Sequence, residues 1–249
     1  MSALVVEGVS VHFGGRMALQ EVDLTAEAGV VTGLIGPNGA GKTTLFNVIC
    51  GLQPPSEGRI GIGGADVTEL APFKRARRGL ARTFQRLELF GLLTVWENVR
   101  LAAAVAKRAT PDLVADGLLH RLGLEEVAHQ RADRLPTGQA RVVELARALA
   151  TDPKVLLLDE PASGQDEQET AAFSEVLRQV ADEGVAVVLV EHDVQLVMDV
   201  CAVIHVLDLG RVLASGPPSA VRHDEAVLAA YLGTSLVAPA GSAGGSHAP

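Results

Sequence analysis

The chain has 249 residues, with 21 lysines and arginines against 30 aspartates and glutamates, which gives a formal net charge of −9. This charge disfavours binding to nucleic acids and to anionic lipid headgroups, and an aromatic content of 3% argues further against a base-stacking surface. A chain of this length buries about three quarters of its unfolded surface, which is enough for one large domain or for two lobes that share a core.

Three local features of the composition narrow the class of protein. The two cysteines, Cys50 and Cys201, are too few for a disulfide framework, and their apolar surroundings predict reduced core thiols in a cytosolic protein. No signal-like segment and no apolar run near about 18 residues is present, which predicts a soluble protein that another protein would hold at a membrane. The basic window 74–78 predicts a solvated helix face or a local docking patch rather than a nucleic-acid site.

In chain order, the first predicted elements are strands. Short β-branched runs at 4–6, 9–12 and 18–24 predict antiparallel strands, with a turn at 13–16. The apolar run 30–35 then predicts a buried strand, and it leads directly into a glycine-rich loop.

That loop reads Gly-Pro-Asn-Gly-Ala-Gly-Lys-Thr-Thr over residues 36–44 and matches the phosphate-binding pattern GxxxxGK[ST]. Its glycines let backbone N–H groups point inward, and the helix that begins at Lys42 adds its positive N-terminal end. A polyphosphate is therefore the expected ligand. Lys42 is expected to reach the β and γ phosphates, and Thr43 to offer its hydroxyl to a magnesium ion that the nucleotide brings. The predicted nucleotide-binding residues of the loop are Asn38, Gly39, Ala40, Gly41, Lys42, Thr43 and Thr44.

The middle of the chain, residues 94–150, is rich in alanine, leucine and arginine with helical spacing. Thr94 and Glu97 predict a capping box that opens one helix, and Pro111 predicts the start of a second helix.

Two later apolar runs, 155–158 and 185–190, predict parallel strands buried on both faces and separated by an amphipathic helix over 169–181. The pattern therefore indicates an α/β core that brackets a helical insertion. Beyond residue 236 the chain consists largely of Ala, Gly, Ser and Pro, which predicts a disordered tail.

Two carboxylates, Asp159 and Glu160, directly follow the first of these strands, at the edge where open α/β sheets bind ligands. Asp159 is suited to hold magnesium, directly or through water, and Glu160 to polarise the water that attacks a γ phosphate. Acids at strand ends are common. The phosphate loop and the acid pair each supply the charge that the other lacks, so together they indicate a functional pair.

With these motifs in this order, the chain resembles the ATP-binding subunits of ABC transporters from about residue 3 to 233. The resemblance implies an α/β fold, a P-loop NTPase core with an N-terminal antiparallel β subdomain and an inserted helical subdomain. The core lobe is expected over about 1–85 and 152–236, the helical lobe over about 86–151, and the disordered tail over 237–249. The resemblance also implies ATP and Mg²⁺ as cofactors, and ATP hydrolysis coupled to transmembrane transport.

Roles for single residues follow from the resemblance. Gln85 matches the family's glutamine at the hinge between the lobes, which senses magnesium and the attacking water, although a lone Gln after a strand is ordinarily a surface amide. His192, directly after the last buried strand, matches the histidine that hydrogen-bonds the γ phosphate. Phe13 matches the aromatic residue that stacks on adenine, although an aromatic residue before Gly-Gly ordinarily fills space in the hydrophobic core. Asp166 ends the expected dimer-crossing loop 163–166.

Residues 135–139 take the place of the family's signature sequence, Leu-Ser-Gly-Gly-Gln, at the start of a helix predicted over 140–150. In the family this element contacts the γ phosphate held by the partner subunit of a head-to-tail dimer. Pro136 replaces the serine and Thr137 a glycine, which predicts weakened or retuned turnover, with the Thr137 hydroxyl as a hypothetical substitute. The other predicted contacts of the segment are Gly138 and Gln139.

Several stretches resemble the ATPases of bacterial branched-chain amino acid importers, among them 82–85, 94–99, 191–198 and 230–233. That branch usually carries a longer helical insertion and an aromatic where Thr137 stands. The expected function is solute uptake through a membrane permease, with branched-chain amino acids or a related small polar solute as cargo. The alternatives are the ATPase of a lipopolysaccharide-type export system and a weakly hydrolysing regulatory ATP-binding module.

The resemblance also implies partners and a location. A second ATP-binding subunit is expected head to tail in a homodimer or heterodimer, with membrane permease subunits as direct partners and an external solute-binding protein acting indirectly; no nucleic acid is expected. The cleft that contacts the permease is expected to include Leu87, Leu89 and Phe90, whereas Trp96 packs within the helical lobe. The expected location is the cytoplasmic face of the cell membrane, peripheral through permease contacts. DNA-repair ATPases and translation factors share the motifs but need a coiled-coil insertion or two phosphate loops.

Overall fold

The computed structural model describes residues 2–232, which form two β-sheets and nine α-helices. The strands are β1 (Ser2–Phe13), β2 (Arg16–Glu27), β3 (Val31–Ile35), β4 (Glu57–Ile62), β5 (Ala65–Asp66), β6 (Leu80–Arg82), β7 (Val155–Asp159), β8 (Ala186–Val190), β9 (Val203–Asp208) and β10 (Arg211–Gly216). The helices are α1 (Lys42–Cys50), α2 (Pro72–Ala76), α3 (Val95–Val105), α4 (Pro111–Arg121), α5 (Thr137–Leu149), α6 (Glu167–Asp182), α7 (Val194–Val200), α8 (Pro218–Val221) and α9 (Glu225–Leu232). The predicted disordered tail, 237–249, lies outside the described residues.

The six-stranded sheet carries the phosphate loop. Its order is β10-β9-β3-β8-β7-β6, and neighbouring strands are parallel except for β10, which pairs antiparallel with β9. Every residue of β3, β7 and β8 is buried, which explains their unbroken apolar runs and confirms the predicted parallel core. Because parallel strands bring their carboxyl ends to one edge, the loops after β3, β7 and β8 meet there.

The second sheet is antiparallel, in the order β2-β1-β4-β5. Strand β1 unites the two runs predicted at 4–6 and 9–12, because a bulge between them, with Gly8 at a φ of 55°, absorbs the irregularity. Helix α1 lies between the two sheets: its Phe46 packs in one apolar cluster with Leu4 of β1 and Leu157 of β7. The antiparallel subdomain therefore shares its core with the helix that begins at the phosphate loop.

Helices α3 and α4 begin as the sequence predicts. Thr94 and Glu97 form the capping box of α3 by exchanging side-chain and backbone hydrogen bonds, and α4 begins at Pro111. The Trp96 indole Nε1 donates a 2.7 Å hydrogen bond to Asp116 of α4, so this side chain packs within the helical lobe, as expected.

Helix α5 packs in two apolar clusters. Its Val143 packs in the apolar cluster of α3 and α4, whereas its Leu145 packs in the cluster formed by α6, α7 and the core sheet. It begins at Thr137, three residues before the predicted start, so the segment 135–139 includes the first turn of the helix. Residues 137–139 are therefore continuous with the rest of α5.

The expectation for the window 74–78 is wrong at Arg75. Its side chain is buried, with 1% of its surface exposed, instead of lying on a solvated helix face. The guanidinium donates to four carbonyl oxygens, those of Val48 at 2.6 Å, Ile49 at 2.8 Å, Thr68 at 2.7 Å and Leu70 at 2.9 Å. Because carbonyls at a helix C-terminus lack intrahelical partners, the arginine closes the end of α1.

The two cysteines are free and buried, as predicted for core thiols. Burial raises the pKa of both thiols, that of Cys201 to about 12, so each remains protonated near neutral pH. No helix within residues 2–232 has the length and apolar character needed to cross a bilayer.

Candidate functional site

The loop 36–44 connects β3 to α1 at the carboxyl edge of the six-stranded sheet. Two of its glycines leave no room for a side chain: a Cβ at Gly36 would lie 2.0 Å from the Leu207 carbonyl oxygen, and a Cβ at Gly41 would lie 2.9 Å from the Ala18 carbonyl oxygen. The unpaired N–H groups of the first turn of α1 face this loop. The other predicted residues here are the exposed Asn38, Gly39 and Thr43, the buried Ala40 and the half-buried Thr44.

The side chain of Lys42 folds back on the loop. Its Nζ donates to the carbonyl oxygen of Gly36 at 2.6 Å and to that of Pro37 at 3.1 Å. Burial lowers the pKa of Lys42, whereas the negative charges of Glu160 and Asp159 act in the opposite direction. The ammonium group is therefore held at the loop, within electrostatic range of both predicted acids.

Three predicted catalytic residues meet at this edge of the sheet. Glu160 follows β7, Gln85 lies three residues beyond β6 and His192 two residues beyond β8. The Glu160 carboxylate lies 2.7 Å from His192 Nε2 through Oε1, and its Oε2 accepts a 2.9 Å hydrogen bond from Gln85 Nε2. Glu160 therefore occupies the centre of the cluster, with one predicted partner on each oxygen.

The backbone of Glu160 has a φ of 51°, in the left-handed region that residues other than glycine rarely adopt. Its N–H donates to the carbonyl oxygen of Val190 at 2.9 Å, which anchors the turn to the neighbouring strand. Such conformations cost about 1 to 3 kcal/mol and persist where the surrounding structure enforces them, often at functional sites. The turn at Glu160 directs its side chain toward His192 and Gln85.

Arg82 is a component of the site that the sequence analysis missed. Its side chain, 7% exposed, pairs with Asp159 at 3.0 Å and also donates to Asn47 Oδ1 of α1 at 2.8 Å. The guanidinium carbon lies 4.9 Å from the centre of the Phe84 ring. Arg82 thus joins the predicted magnesium-binding acid to α1 and to the segment that carries Gln85. A cation at the end of a strand was the only sequence signal, and its partners lie far along the chain.

The predicted metal-binding residues supply oxygen donors of the kind Mg²⁺ prefers: the exposed hydroxyl of Thr43, the carboxylate of Asp159 and the amide oxygen of Gln85. Residues 2–232 contain no group of three or more His, Cys, Asp and Glu side chains placed to hold a metal ion. The donor set therefore fits an ion that arrives with additional oxygen ligands, such as those of a nucleotide.

The predicted signature segment packs against the predicted dimer-crossing loop of its own chain. Pro136 precedes α5, where no side chain caps the helix, and both Pro136 and Thr137 are exposed. A Cβ at Gly164 would lie 3.3 Å from Thr137 Cγ2, and a Cβ at Gly138 would lie 2.3 Å from Glu169 Oε1. Within residues 2–232, no hydrogen bond joins the segment 135–139 to the phosphate loop. The fourth member of the segment, Gln139, is exposed.

Asp166 is the N-cap residue of α6. Its Oδ1 accepts the Glu169 N–H at 2.8 Å, while Glu169 Oε2 accepts the Asp166 N–H at 3.2 Å.

Phe13 ends β1 next to the turn, and 52% of its surface is exposed. The alternative interpretation of Phe13 as a residue that fills the hydrophobic core is therefore wrong. The ring is exposed, which is compatible with the predicted stacking on a base.

A charged row on α5, also missed by the sequence analysis, holds the segment that carries Gln85. Arg141 donates to the Phe84 carbonyl oxygen at 3.0 Å and to that of Gln85 at 2.5 Å, and it pairs with Glu144 at 2.8 Å. Glu144 in turn accepts the Glu88 N–H at 2.7 Å, although burial raises the pKa of its carboxyl group. Helix α5 thus contacts the segment that carries Gln85 at both ends, at Phe84 and Gln85 and at Glu88.

Comparison with known protein families identifies the family to which this chain belongs. A family model described as ABC transporter matches residues 19–163, more than half of the chain. This chain belongs to the ABC transporter ATP-binding family. A second model, described as branched-chain amino acid ATP-binding cassette transporter, matches residues 211–236, which begin at β10. Membership establishes the chain as a nucleotide-binding ATPase coupled to transport, and it confirms the fold class and the family expected from the motifs.

Two curated relatives of this ABC ATPase have different names. The chain is 37% identical over 248 residues to the high-affinity branched-chain amino acid transport ATP-binding protein BraF of Pseudomonas aeruginosa, with 92% of this chain and 97% of BraF covered. It is 35% identical over 236 residues to the lipopolysaccharide export system ATP-binding protein LptB of Haemophilus influenzae, with 94% of this chain and 98% of LptB covered. Both relatives are ATP-binding proteins of transport systems, and their names assign them different cargo.

A solved structure extends the likeness to three dimensions. A dimeric ATP-binding cassette in a post-hydrolysis state, bound to ADP and Pi, superposes on this ABC ATPase with a TM-score of 0.77 and 28% sequence identity. The match covers 86% of this chain and 98% of the solved chain. The fold is therefore one in which a related cassette binds nucleotide as a dimer.

Proposed function

We propose that this ATPase powers the uptake of branched-chain amino acids, or of a related small polar solute, through a membrane permease. The observation that carries the solute class is the match of residues 211–236 to the branched-chain amino acid model. The identity to BraF, at 37%, supports the same class. A lipopolysaccharide-type export system is the second candidate, which the 35% identity to LptB favours.

In the proposed reaction, the triphosphate of ATP lies in the loop 36–44, against the N-terminal N–H groups of α1. Lys42 exchanges its carbonyl partners at Gly36 and Pro37 for oxygens of the β and γ phosphates. Thr43 and Asp159, with Gln85 nearby, would hold Mg²⁺, which would neutralise charge on the phosphates. Phe13 stacks on the adenine ring.

Glu160 polarises the water that attacks the γ phosphate in this proposal. Its carboxylate already contacts His192 at 2.7 Å and Gln85 at 2.9 Å, so these two side chains orient the carboxylate and the water beside it. This cluster also argues against a weakly hydrolysing regulatory module, because Glu160 lies within hydrogen-bonding distance of both His192 and Gln85. Turnover by the purified full chain tests that alternative directly.

In this proposal, two subunits are arranged head to tail, and the second subunit supplies the other half of the nucleotide site. Pro136, Thr137 and Gln139 are exposed, and the 13-residue helix α5 begins at Thr137, so its first N–H groups, from Thr137 onward, form a positive helix end. The γ phosphate bound by the partner supplies the matching negative charge. Gly138 keeps the backbone close to Glu169, and Asp166 combines its capping role with a place in the loop that crosses the dimer.

The permease contact is proposed at the apolar surface beside the hinge. Leu87 and Phe90 are 41% and 50% exposed, and the Arg147 guanidinium carbon lies 4.8 Å from the centre of the Phe90 ring. Leu89 is half-buried and packs against the helical lobe, so it supports this surface from below. Contact with the permease here holds the protein at the cytoplasmic face of the membrane, and the binding protein that selects the solute acts through the permease.

Isolation of the full chain from native membranes in mild detergent tests the proposal. We expect an amino acid permease to accompany the wild-type protein, and Phe90→Asp to abolish its recovery because the new charge would be desolvated in the contact. The matched control is Leu113→Asp, on the exposed side of α4, where Leu113 is 68% exposed. Recovery of lipopolysaccharide export components would contradict the proposed solute class but support the proposed permease contact. Recovery of no membrane protein would contradict both proposals.

A further inference from the structure

A buried carboxylate connects two loops of the site. Glu191 directly precedes His192 and is 6% exposed. Its Oε1 accepts the N–H of Ala162 at 2.8 Å, and its Oε2 accepts the N–H of His192 at 3.1 Å. Ala162 lies in the loop between Glu160 and the dimer-crossing loop, so the same side chain contacts both loops that flank Glu160.

Packing alone does not account for an acid in this place. Burial raises the pKa of Glu191, the charge of Glu160 raises it further, and the hydrogen bonds from Ala162 and His192 act in the opposite direction. A buried carboxylate costs free energy unless its oxygens are paired, so an apolar side chain would be the less costly way to fill the space. What the carboxylate adds is two acceptors in one rigid plane, each occupied by the backbone of a different loop.

The neighbouring contacts show where a displacement of Ala162 would originate. The dimer-crossing loop ends at the cap of α6, and its Gly164 lies against Thr137 of the signature segment. A displacement of the signature segment or of the cap therefore moves the loop that contains Ala162. Because Glu191 is bonded to that loop, its carboxylate follows, and the N–H of His192 is bonded to the same carboxylate.

We propose that Glu191 is a positioning residue that couples the dimer-crossing loop to His192, so that docking of a second subunit adjusts the histidine beside Glu160. The inference rests on the proposed function for the role of His192 and for the dimer, whereas the coupling of the two loops is a property of the chain itself. Glu191 contacts neither ATP nor water in this account.

Substitution by glutamine separates coupling from packing. A glutamine of nearly the same shape has one acceptor oxygen and one NH₂ donor, so it can accept from Ala162 or from His192 but faces the other N–H with a donor. Glu191→Gln therefore fills the same space and breaks one of the two connections. The matched control is Glu57→Gln, an exposed acid at the start of β4.

The experiment uses the full chain with MgATP. For Glu191→Gln we expect kcat to fall about tenfold with KM for ATP changed less than about twofold, and for Glu57→Gln no change. Combining Glu191→Gln with His192→Ala should lower kcat no further than His192→Ala alone, because the two act through one path. Hydrogen exchange should accelerate in Glu191→Gln at the amide that loses its acceptor, that of Ala162 or that of His192, with a melting temperature close to that of the wild type.

Three results would overturn the coupling: multiplicative effects of the two substitutions, unchanged exchange at both amides, or wild-type kcat in Glu191→Gln. Failure of the proposed function has a different signature. If His192→Ala hydrolyses ATP normally, the role proposed for the histidine is wrong, and the exchange of the two amides still decides whether Glu191 joins the loops.

Discussion

The two ends of the proposed nucleotide site differ in how completely one chain builds them. At the carboxyl edge of the core sheet, Glu160, Asp159 and Lys42 each have a hydrogen-bonding or ionic partner, and most of these groups are buried. At the signature end, Pro136 and Thr137 are exposed and the helix has no side-chain cap. The core edge is preorganised in one subunit, whereas the signature end presents unpaired N–H groups to whatever docks there.

The largest expected effect is at the core edge. Glu160→Gln removes the proposed base, and we expect ATP turnover to fall by at least about 100-fold. The shape is retained, so binding of MgATP should persist, and a nucleotide-bound dimer should accumulate in size-exclusion chromatography. Asp182→Asn, an exposed acid at the end of α6, should leave both properties unchanged. Normal turnover by Glu160→Gln would remove the residue from its proposed role.

The second prediction concerns stability at the same end. Arg82→Met leaves Asp159 buried without its cation, and breaking a buried pair in this way costs about 3 kcal/mol in the free energy of unfolding. Arg131→Met, which removes an exposed ion pair with Asp133, should cost less than about 1 kcal/mol. Urea unfolding of the two variants measures the difference. Equal losses would mean that Arg82 does not stabilise the core edge through its burial.

The third prediction concerns the signature end, where stability should change little and turnover should respond. Pro136→Ser adds a capping hydroxyl before α5 and restores the residue type of the family's signature, so we expect kcat to rise a few-fold. Pro217→Ser makes the same substitution before α8, and it should leave kcat unchanged. Steady-state ATPase assays under identical conditions compare them. A decrease in kcat for Pro136→Ser would show that Pro136 and Thr137 work as an adapted pair.

The smallest effect is expected away from both ends, at His205 of β9. Burial lowers the pKa of His205 below its ordinary value of 6.5, with the Thr25 backbone acting in the opposite direction. Below pH 6.5 the unfolded chain therefore binds a proton that the folded chain resists, and stability decreases as pH falls. We expect His205 to lower the free energy of unfolding by up to about 1 kcal/mol per pH unit, and we expect this contribution to be absent in His205→Gln. Urea unfolding of both proteins at about pH 7.5 and about pH 5.5 measures the difference. Parallel losses in the two proteins would assign the pH dependence to other groups.

Residues adjacent in sequence made the fold and half of the candidate site predictable. The phosphate loop, the Thr94 capping box and the strand runs at 155–158 and 185–190 depend on neighbours within a few positions, and all have the predicted structure. Element boundaries moved by one to three residues, as at α5, because backbone hydrogen bonds extend a helix into its cap region.

The contacts that unite the site were outside the reach of sequence patterns. Arg75 looked like part of a solvated basic run, yet four carbonyl oxygens from two segments surround it. Arg82 and Asp159 are 77 positions apart, and Glu191 and Ala162 are 29 apart. No periodicity signals such pairs, because each partner looks like an ordinary charged or small residue in its own segment.

By itself, the sequence determined the type of chemistry and the succession of elements, since glycine spacing, apolar periodicity and strand-end acids act locally. Only the tertiary structure decided which charges are paired in the interior, because the burial that makes an isolated charge costly arises when distant strands and helices pack together. For this ABC ATPase, that packing placed Arg82 on Asp159, His192 on Glu160 and Glu191 between two loops.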